Sequence, residues 1–230
     1  MHIAVLMAQT DESEFARSYA DDGEKFIALL QPLRPDWRFT NFSVITDEFP
    51  DDITKFDGVI ITGSMASAND PDPWVARLND LIQTADKAKT PMFGACFGHQ
   101  IIAHALGGTV GSNPQGWVFG AVSSHILTAC PWHGNPSLYA AHQEQVLKMP
   151  DGAIVVASAP DTPVAAFTKG KHIATTQYHP EISPDFFAAL QVQLANYLPK
   201  DVVENASVAP VDQTDFAEGI ARFFEAAKLG

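Results

Sequence analysis

The sequence predicts an α/β fold: a mostly parallel central sheet with helices on both faces, followed by short antiparallel strands in the second half. Three observations predict it. Short apolar runs alternate with helical patterns through the first 108 residues, and from about residue 109 the rhythm changes to brief strands and turns. At 230 residues with 46% hydrophobic content, the chain can bury the core that such a layered sheet requires.

The elements follow in order. HIAVLMA opens the chain as a strand, and residues 13–31 repeat Phe15, Tyr19, Phe26, Leu29 and Leu30 at helical intervals. WRFTNFSV reads as a second strand. FDGVIITGS is nearly continuous in apolar residues, as a strand covered on both faces should be. Residues 74–88 read as a helix, PMFGAC as a strand, and GHQIIAHALGG as a helix stopped by glycines. After TVGSNPQGWVFGAVSSHILTAC come AIVVASA, VAAFTKG with a turn at Lys169-Gly170, and KHIATTQYHPE. Helices are expected at 184–197 and 213–228, with a connecting loop over 199–214. No internal repeat or linker divides the chain, so the expectation is a single domain over 1–230. Its core would lie within about 1–197, with a C-terminal loop and helix at 198–230.

A formal net charge of -13 argues against nucleic acid or an anionic membrane as partner, since both need clustered Lys and Arg. No stretch reaches membrane-spanning length, and MHIAVLMAQT lacks a basic leader. A cytoplasmic, reducing setting is therefore expected. Cys96 and Cys130 are too sparse for a disulfide framework, and neither has zinc-site spacing, so Cys96 is expected as a free thiol. His125, His133 and His142 are scattered without ligand spacing, and no metal or cofactor is expected.

GACFG, residues 94–98, places Cys96 between two glycines where a strand meets a helix. This is the pattern Gly-x-nucleophile-x-Gly, which lifts a side chain out of the sheet on a strained corner. Gly94 and Gly98 then have a steric reason to lack side chains. Unpaired N–H groups at the start of the helix favour a negative sulfur, and that of Phe97 could receive an oxyanion. In QYHPEIS, Pro180 biases His179 towards an extended conformation. Residues i and i+2 of an extended segment share a side, so Glu181 can orient the His179 imidazole.

Together ITGSMAS, GACFGHQ and YHPE, in that order along the chain, resemble the class I (triad) glutamine amidotransferase family, with a free-standing GMP synthase-like amidotransferase domain as the nearest form. The resemblance implies a flavodoxin-like fold, with Cys96 as nucleophile, His179 as general base and acid, and Glu181 as orienter. It implies an oxyanion hole from the backbone N–H groups of Ser64 and Phe97. Gln100 and the loop His142-Gln143-Glu144 would hold the α-amino and α-carboxyl ends of glutamine. Gly63-Ser64-Met65 stands where the family usually has Gly-Gly-Pro. The activity implied is cleavage of the glutamine γ-amide to glutamate and ammonia, with a separate ammonia-accepting synthetase subunit as a possible partner. Two alternatives share these residues: a γ-glutamyl peptide hydrolase, and a silent regulatory or binding subunit. His99, on the helix leaving the corner, is expected to be structural.

Overall fold

The computed structural model describes residues 1–228. Leu229 and Gly230, the end of the expected C-terminal segment, lie outside the described residues.

The first half builds β1 (His2–Met7), α1 (Glu14–Arg17), α2 (Asp22–Leu30), β2 (Arg38–Ser43), β3 (Gly58–Ile61), α3 (Pro73–Ala88), β4 (Met92–Ala95) and α4 (Phe97–Ala105). Short strands follow: β5 (Thr109–Ser112), β6 (Val118–Ser123), β7 (His125–Ile126), β8 (Ser137–His142) and β9 (Glu144–Lys148). The chain then forms β10 (Ala153–Ala159), β11 (Thr162–Lys169), β12 (Ile173–Thr176), α5 (Pro184–Leu194), α6 (Lys200–Glu204) and α7 (Gln213–Lys228). Eight strands make one sheet in the order β2-β1-β3-β4-β12-β11-β10-β7. Pairs from β2 to β12 are parallel, and those from β12 to β7 antiparallel. Two smaller pairs, β5-β9 and β6-β8, stand apart from it.

Strand alternation decides which residues face which layer. Ile3 and Val5 of β1 pack with Phe26 of α2 and with Phe216, Ile220 and Phe224 of α7. Ala4 and Leu6, on the opposite face, pack with Leu78 and Ile82 of α3 and Ile101 and Ile102 of α4. Helices therefore cover both faces, as the apolar runs require. Outside these layers, the Tyr139 ring of β8 stacks on Phe187 of α5 at 4.2 Å and joins β6-β8 to the body. Arg34 fixes α7 over the first face, donating to Glu218 at 2.8 and 3.1 Å and to Glu225 at 2.5 and 3.1 Å.

Three segments differ from expectation. The helix expected over 13–31 is two helices, because Asp21 accepts from the Glu24 N–H at 2.7 Å and Glu24 reaches back at 3.0 Å. That reciprocal cap starts a new helix at Asp22. The expected loop at 142–144 is a one-residue break, Gln143, between β8 and β9, which pair with different partners. The expected loop over 199–214 contains α6.

One close approach sets the height of α4 on the sheet. A Cβ on Gly98 would stand 2.1 Å from the Ile61 carbonyl oxygen, and one on Gly94 would stand 2.5 Å from Gly98 backbone. Gly98→Ala should thus push α4 off β3. We expect a loss of at least ~2 kcal/mol of stability, read as a lower urea midpoint.

Candidate active site

Parallel strands end on one edge of the sheet, and there the chain gathers its reactive groups. β4 runs into Cys96, β3 into Thr62 and Gly63, β12 into the segment 177–181. Cys96 has φ 50° and ψ -105°, a positive φ that a non-glycine residue holds only when its surroundings impose it. They do. Its N–H donates to the Thr176 carbonyl at 2.9 Å, its carbonyl accepts from Gln100 N–H at 3.0 Å, and Gly98 N–H donates to the Thr62 carbonyl at 3.0 Å. The corner is thus tied to both neighbouring strands, and Cys96 is only 4% exposed.

His179 is buried, and its N–H donates to the Tyr139 carbonyl at 2.9 Å. Its Nδ1 lies 2.7 Å from Glu181 Oε1, with Glu181 also buried. A Cβ on Gly63 would sit 2.8 Å from His179 Cε1 and 3.8 Å from Cys96 Cβ, so that glycine's backbone lies against both side chains. Burial disfavours a charged imidazole, but the Glu181 carboxylate and the Cys96 sulfur outweigh it and hold the His179 pKa well above its ordinary value. His179 is accordingly a proton donor in the neutral range.

Phe97 opens α4 with its ring 5.6 Å from Trp74, and Ser64 uses its hydroxyl to accept from the Ala66 N–H at 3.1 Å. Among the described residues, neither the Phe97 nor the Ser64 backbone N–H has a hydrogen-bond partner. Both are free to meet a ligand oxygen. Gln100 is buried and donates to the Glu144 carbonyl at 2.7 Å, which His142 Nδ1 also approaches at 3.1 Å. Gln143 faces solvent, and the Glu144 carboxylate accepts from the Ser67 hydroxyl at 2.7 Å. Ser67, Thr62 and Gln177 are neighbours that motif reading overlooked. Gln177 lies inside the QYHPEIS stretch, but its contact with Cys96 comes from the bends after β12, which spacing does not reveal.

His99 points away from this edge. Its Nδ1 meets Thr175 Oγ1 at 2.8 Å, its ring lies 5.0 Å from Phe167, and burial, with His142 nearby, lowers its pKa to about 3. Burial likewise lowers His142 to about 4. Below pH about 6.5 the unfolded chain takes up protons at these two sites while the folded chain does not, so stability falls with acid. At pH 5 each site should cost on the order of 2 kcal/mol. His179 has the opposite sign: its stabilisation is complete below 6.5 and fades as pH rises through its raised pKa. His99→Gln should therefore flatten the fall in melting temperature between pH 6.5 and 5, even if it melts lower at pH 7.

Among the described residues, no group of three or more His, Cys, Asp or Glu side chains is arranged to hold a metal ion. No helix there is long and apolar enough to cross a membrane. Both cysteines are free thiols; Cys130, half-buried, donates to the Trp132 carbonyl at 3.2 Å, and burial raises its pKa.

The fold and site together define an α/β protein with a sheet covered on both faces and a cysteine corner beside a buried His–Glu pair. The chain belongs to the class-I glutamine amidotransferase family, whose model matches residues 37–189. It is 29% identical over 204 residues to gamma-glutamyl peptidase 5 of Arabidopsis thaliana, covering 84% of this chain and 80% of that protein. A 100-residue stretch, 40% of this chain and 18% of the relative, is 40% identical to GMP synthase [glutamine-hydrolyzing] of Corynebacterium glutamicum. The crystal structure of a glutamine amidotransferase from Thermotoga maritima superposes with a TM-score of 0.74 at 16% identity, covering 99% of this chain and 97% of that one. The mostly parallel sheet is thus the flavodoxin-like fold of this family. The family and these relatives are enzymes.

Proposed function

We propose that the chain hydrolyses γ-glutamyl amide bonds through Cys96, His179 and Glu181. The observation that carries this reading is the buried His179–Glu181 pair, 2.7 Å apart, packed with Cys96 around the Gly63 backbone. The Cys96 sulfur attacks the γ-carbonyl carbon, and the carbonyl electron pair moves to oxygen, where the N–H groups of Phe97 and Ser64 receive it. Collapse re-forms the carbonyl and breaks the C–N bond, and the leaving amine takes its proton from His179. Neutral His179 then removes a proton from water as that water attacks the thioester. The C–S bond breaks, glutamate leaves, and the thiolate and imidazolium are restored. Glu181 holds the ring and offsets its charge throughout. Gln100 and the segment His142-Gln143-Glu144 frame the α-amino and α-carboxyl groups of the substrate.

Glutamine is the simplest such substrate, with ammonia as the leaving group and a separate synthetase subunit as its consumer. The gamma-glutamyl peptidase relative, covered over 80% of its length, supports a second reading in which the leaving group is the amine of a peptide. The test is glutamate release by the purified chain from glutamine and from γ-glutamyl dipeptides. Turnover of a dipeptide near 1 per second or faster, with glutamine poor, selects the peptidase. Slow glutamine hydrolysis raised by a synthetase selects the amidotransferase. Release from neither substrate, alone or with a synthetase, would leave the silent-subunit alternative.

A further inference from the structure

The segment that brings His179 and Glu181 to the site brings a third polar side chain with them. In the bends and turns that follow β12, Gln177 reaches Cys96 and Glu181 reaches His179, and Gln177 is fully buried. Its Nε2 lies 3.8 Å from Cys96 Sγ, and its Oε1 lies 3.3 Å from Gln100 Nε2. The orientation of a carboxamide is normally ambiguous between its nitrogen and its oxygen. Here one backbone atom decides it.

The Glu144 carbonyl can only accept, so the Gln100 atom 2.7 Å from it must be the NH2 group. That nitrogen has a second hydrogen, and its other close partner is Gln177, which must therefore present oxygen. With its oxygen so committed, Gln177 turns its NH2 towards the sulfur. An amide held in this way can donate to a sulfur anion, but its NH2 cannot accept a hydrogen bond from a thiol.

We propose that Gln177 is a positioning residue: it donates a hydrogen bond to the Cys96 sulfur and holds it at the corner, in a direction imposed by the Glu144 carbonyl through Gln100. The inference rests on the reading of Cys96 as nucleophile. It also connects two parts of the site. The carbonyl that orients the chain of amides belongs to the residue whose carboxylate Ser67 binds, so a ligand that moves Glu144 would be felt at the sulfur.

The other titratable groups around this sulfur are His179 with Glu181 on the same segment, His142 at the end of β8, and the Asp22–Lys25 pair on α2, whose Asp22 senses both Glu181 and His179. Of these, His179 also donates to the sulfur, and that donor stays in the Gln177 variants, so the change they cause reads the amide alone.

The test is the rate of Cys96 alkylation by iodoacetamide across pH, in the full chain with Cys130→Ser. Gln177→Met keeps the length of the side chain and removes the donor; Gln177→Glu places a carboxylate there. A charge-assisted hydrogen bond predicts that Gln177→Met slows alkylation at pH 7 by about 10-fold or more. The profile should move to higher pH, and Gln177→Glu should move it further. An unchanged rate, or a slower rate with an unmoved profile, would overturn the proposal. If Gln177→Met fails to fold, Gln100→Met supplies the same readout, since it releases the Gln177 amide from its fixed direction; an unmoved profile there is equally damaging. Because alkylation needs no substrate, this result stands apart from the turnover assay: a wild-type chain that releases no glutamate, alone or with a synthetase, ends the proposed function, whereas the alkylation profile decides the role of Gln177.

Discussion

Cys96→Ser should lose at least about four orders of magnitude in turnover while melting at the same temperature as the wild type. The scale follows from the division of labour at the corner. A serine hydroxyl is not ionised in the neutral range, and His179, already charged beside Glu181, is poorly placed to remove its proton. Stability should hold because the two side chains differ little in volume, and the positive φ is imposed by backbone hydrogen bonds that serine retains. The companion measurement is labelling by a glutamine-mimicking electrophile. Accessibility favours Cys130, which is half-buried, over Cys96, which is 4% exposed. Chemistry favours Cys96, because Cys130 has its pKa raised by burial and no base beside it. Mass spectrometry should find Cys96 modified first, with activity lost in proportion. Labelling of Cys130 in step with lost activity would remove Cys96 from the role.

His179→Asn should be nearly as damaging, lowering turnover by three orders of magnitude or more. One side chain is asked both to protonate the leaving amine and to activate the water, and asparagine can do neither. Glu181→Gln is the more informative partner. The amide can still lie beside Nδ1, but it removes the negative charge that outweighs burial, so the His179 pKa should drop and the pH–rate profile should move with it. A Glu181→Gln variant with an unshifted profile would mean that the carboxylate only braces the ring. His99→Asn is the control, since its imidazole is already neutral and faces Thr175 and Phe167. Equal losses at His99 and His179 in folded proteins would contradict the geometry.

How much of this could be read from residues alone depended on whether a local rule applied. The buried strands β1, β3 and β4 were legible because continuous apolar runs have few other uses in a chain of this composition. Cys96 was legible because glycines on both sides of it at a strand–helix junction have a steric cause, which the structure locates at the Ile61 carbonyl. The break between α1 and α2 was legible in principle, since Asp21-Asp22-Gly23-Glu24 carries the capping residues, but the helical spacing of Phe15 and Tyr19 masked it. β8 and β9 were not legible: SLYAAH is buried at four of its six residues, three of them consecutive, and EQVLK at two adjacent ones, so neither shows clean alternation, and each takes its register from a strand that is not its neighbour in sequence. The amide chain from Glu144 to Gln177 joins residues from three separate segments and leaves no trace in spacing. Only the tertiary fold brings them together.

The layer closed by α7 also has a consequence for how the chain acquires its shape. Ile3 and Val5, in β1, are covered by Phe216, Ile220 and Phe224, in α7, some two hundred residues further along the sequence. Until that helix arrives, this face of β1 and β4 is covered only in part, by Phe26 and Leu30 of α2, and the share that α7 hides has no local substitute. Two charged latches hold α7 down: Arg34 grips Glu218 and Glu225, two turns apart on one face of the helix, and Lys228 meets Asp57 at 2.9 Å. Refolding should therefore pass through a species with the α3–α4 side formed and the α7 side sticky, most vulnerable to self-association at high protein concentration. Dye binding to exposed apolar surface should rise early in refolding and decay as Arg34 engages Glu218 and Glu225.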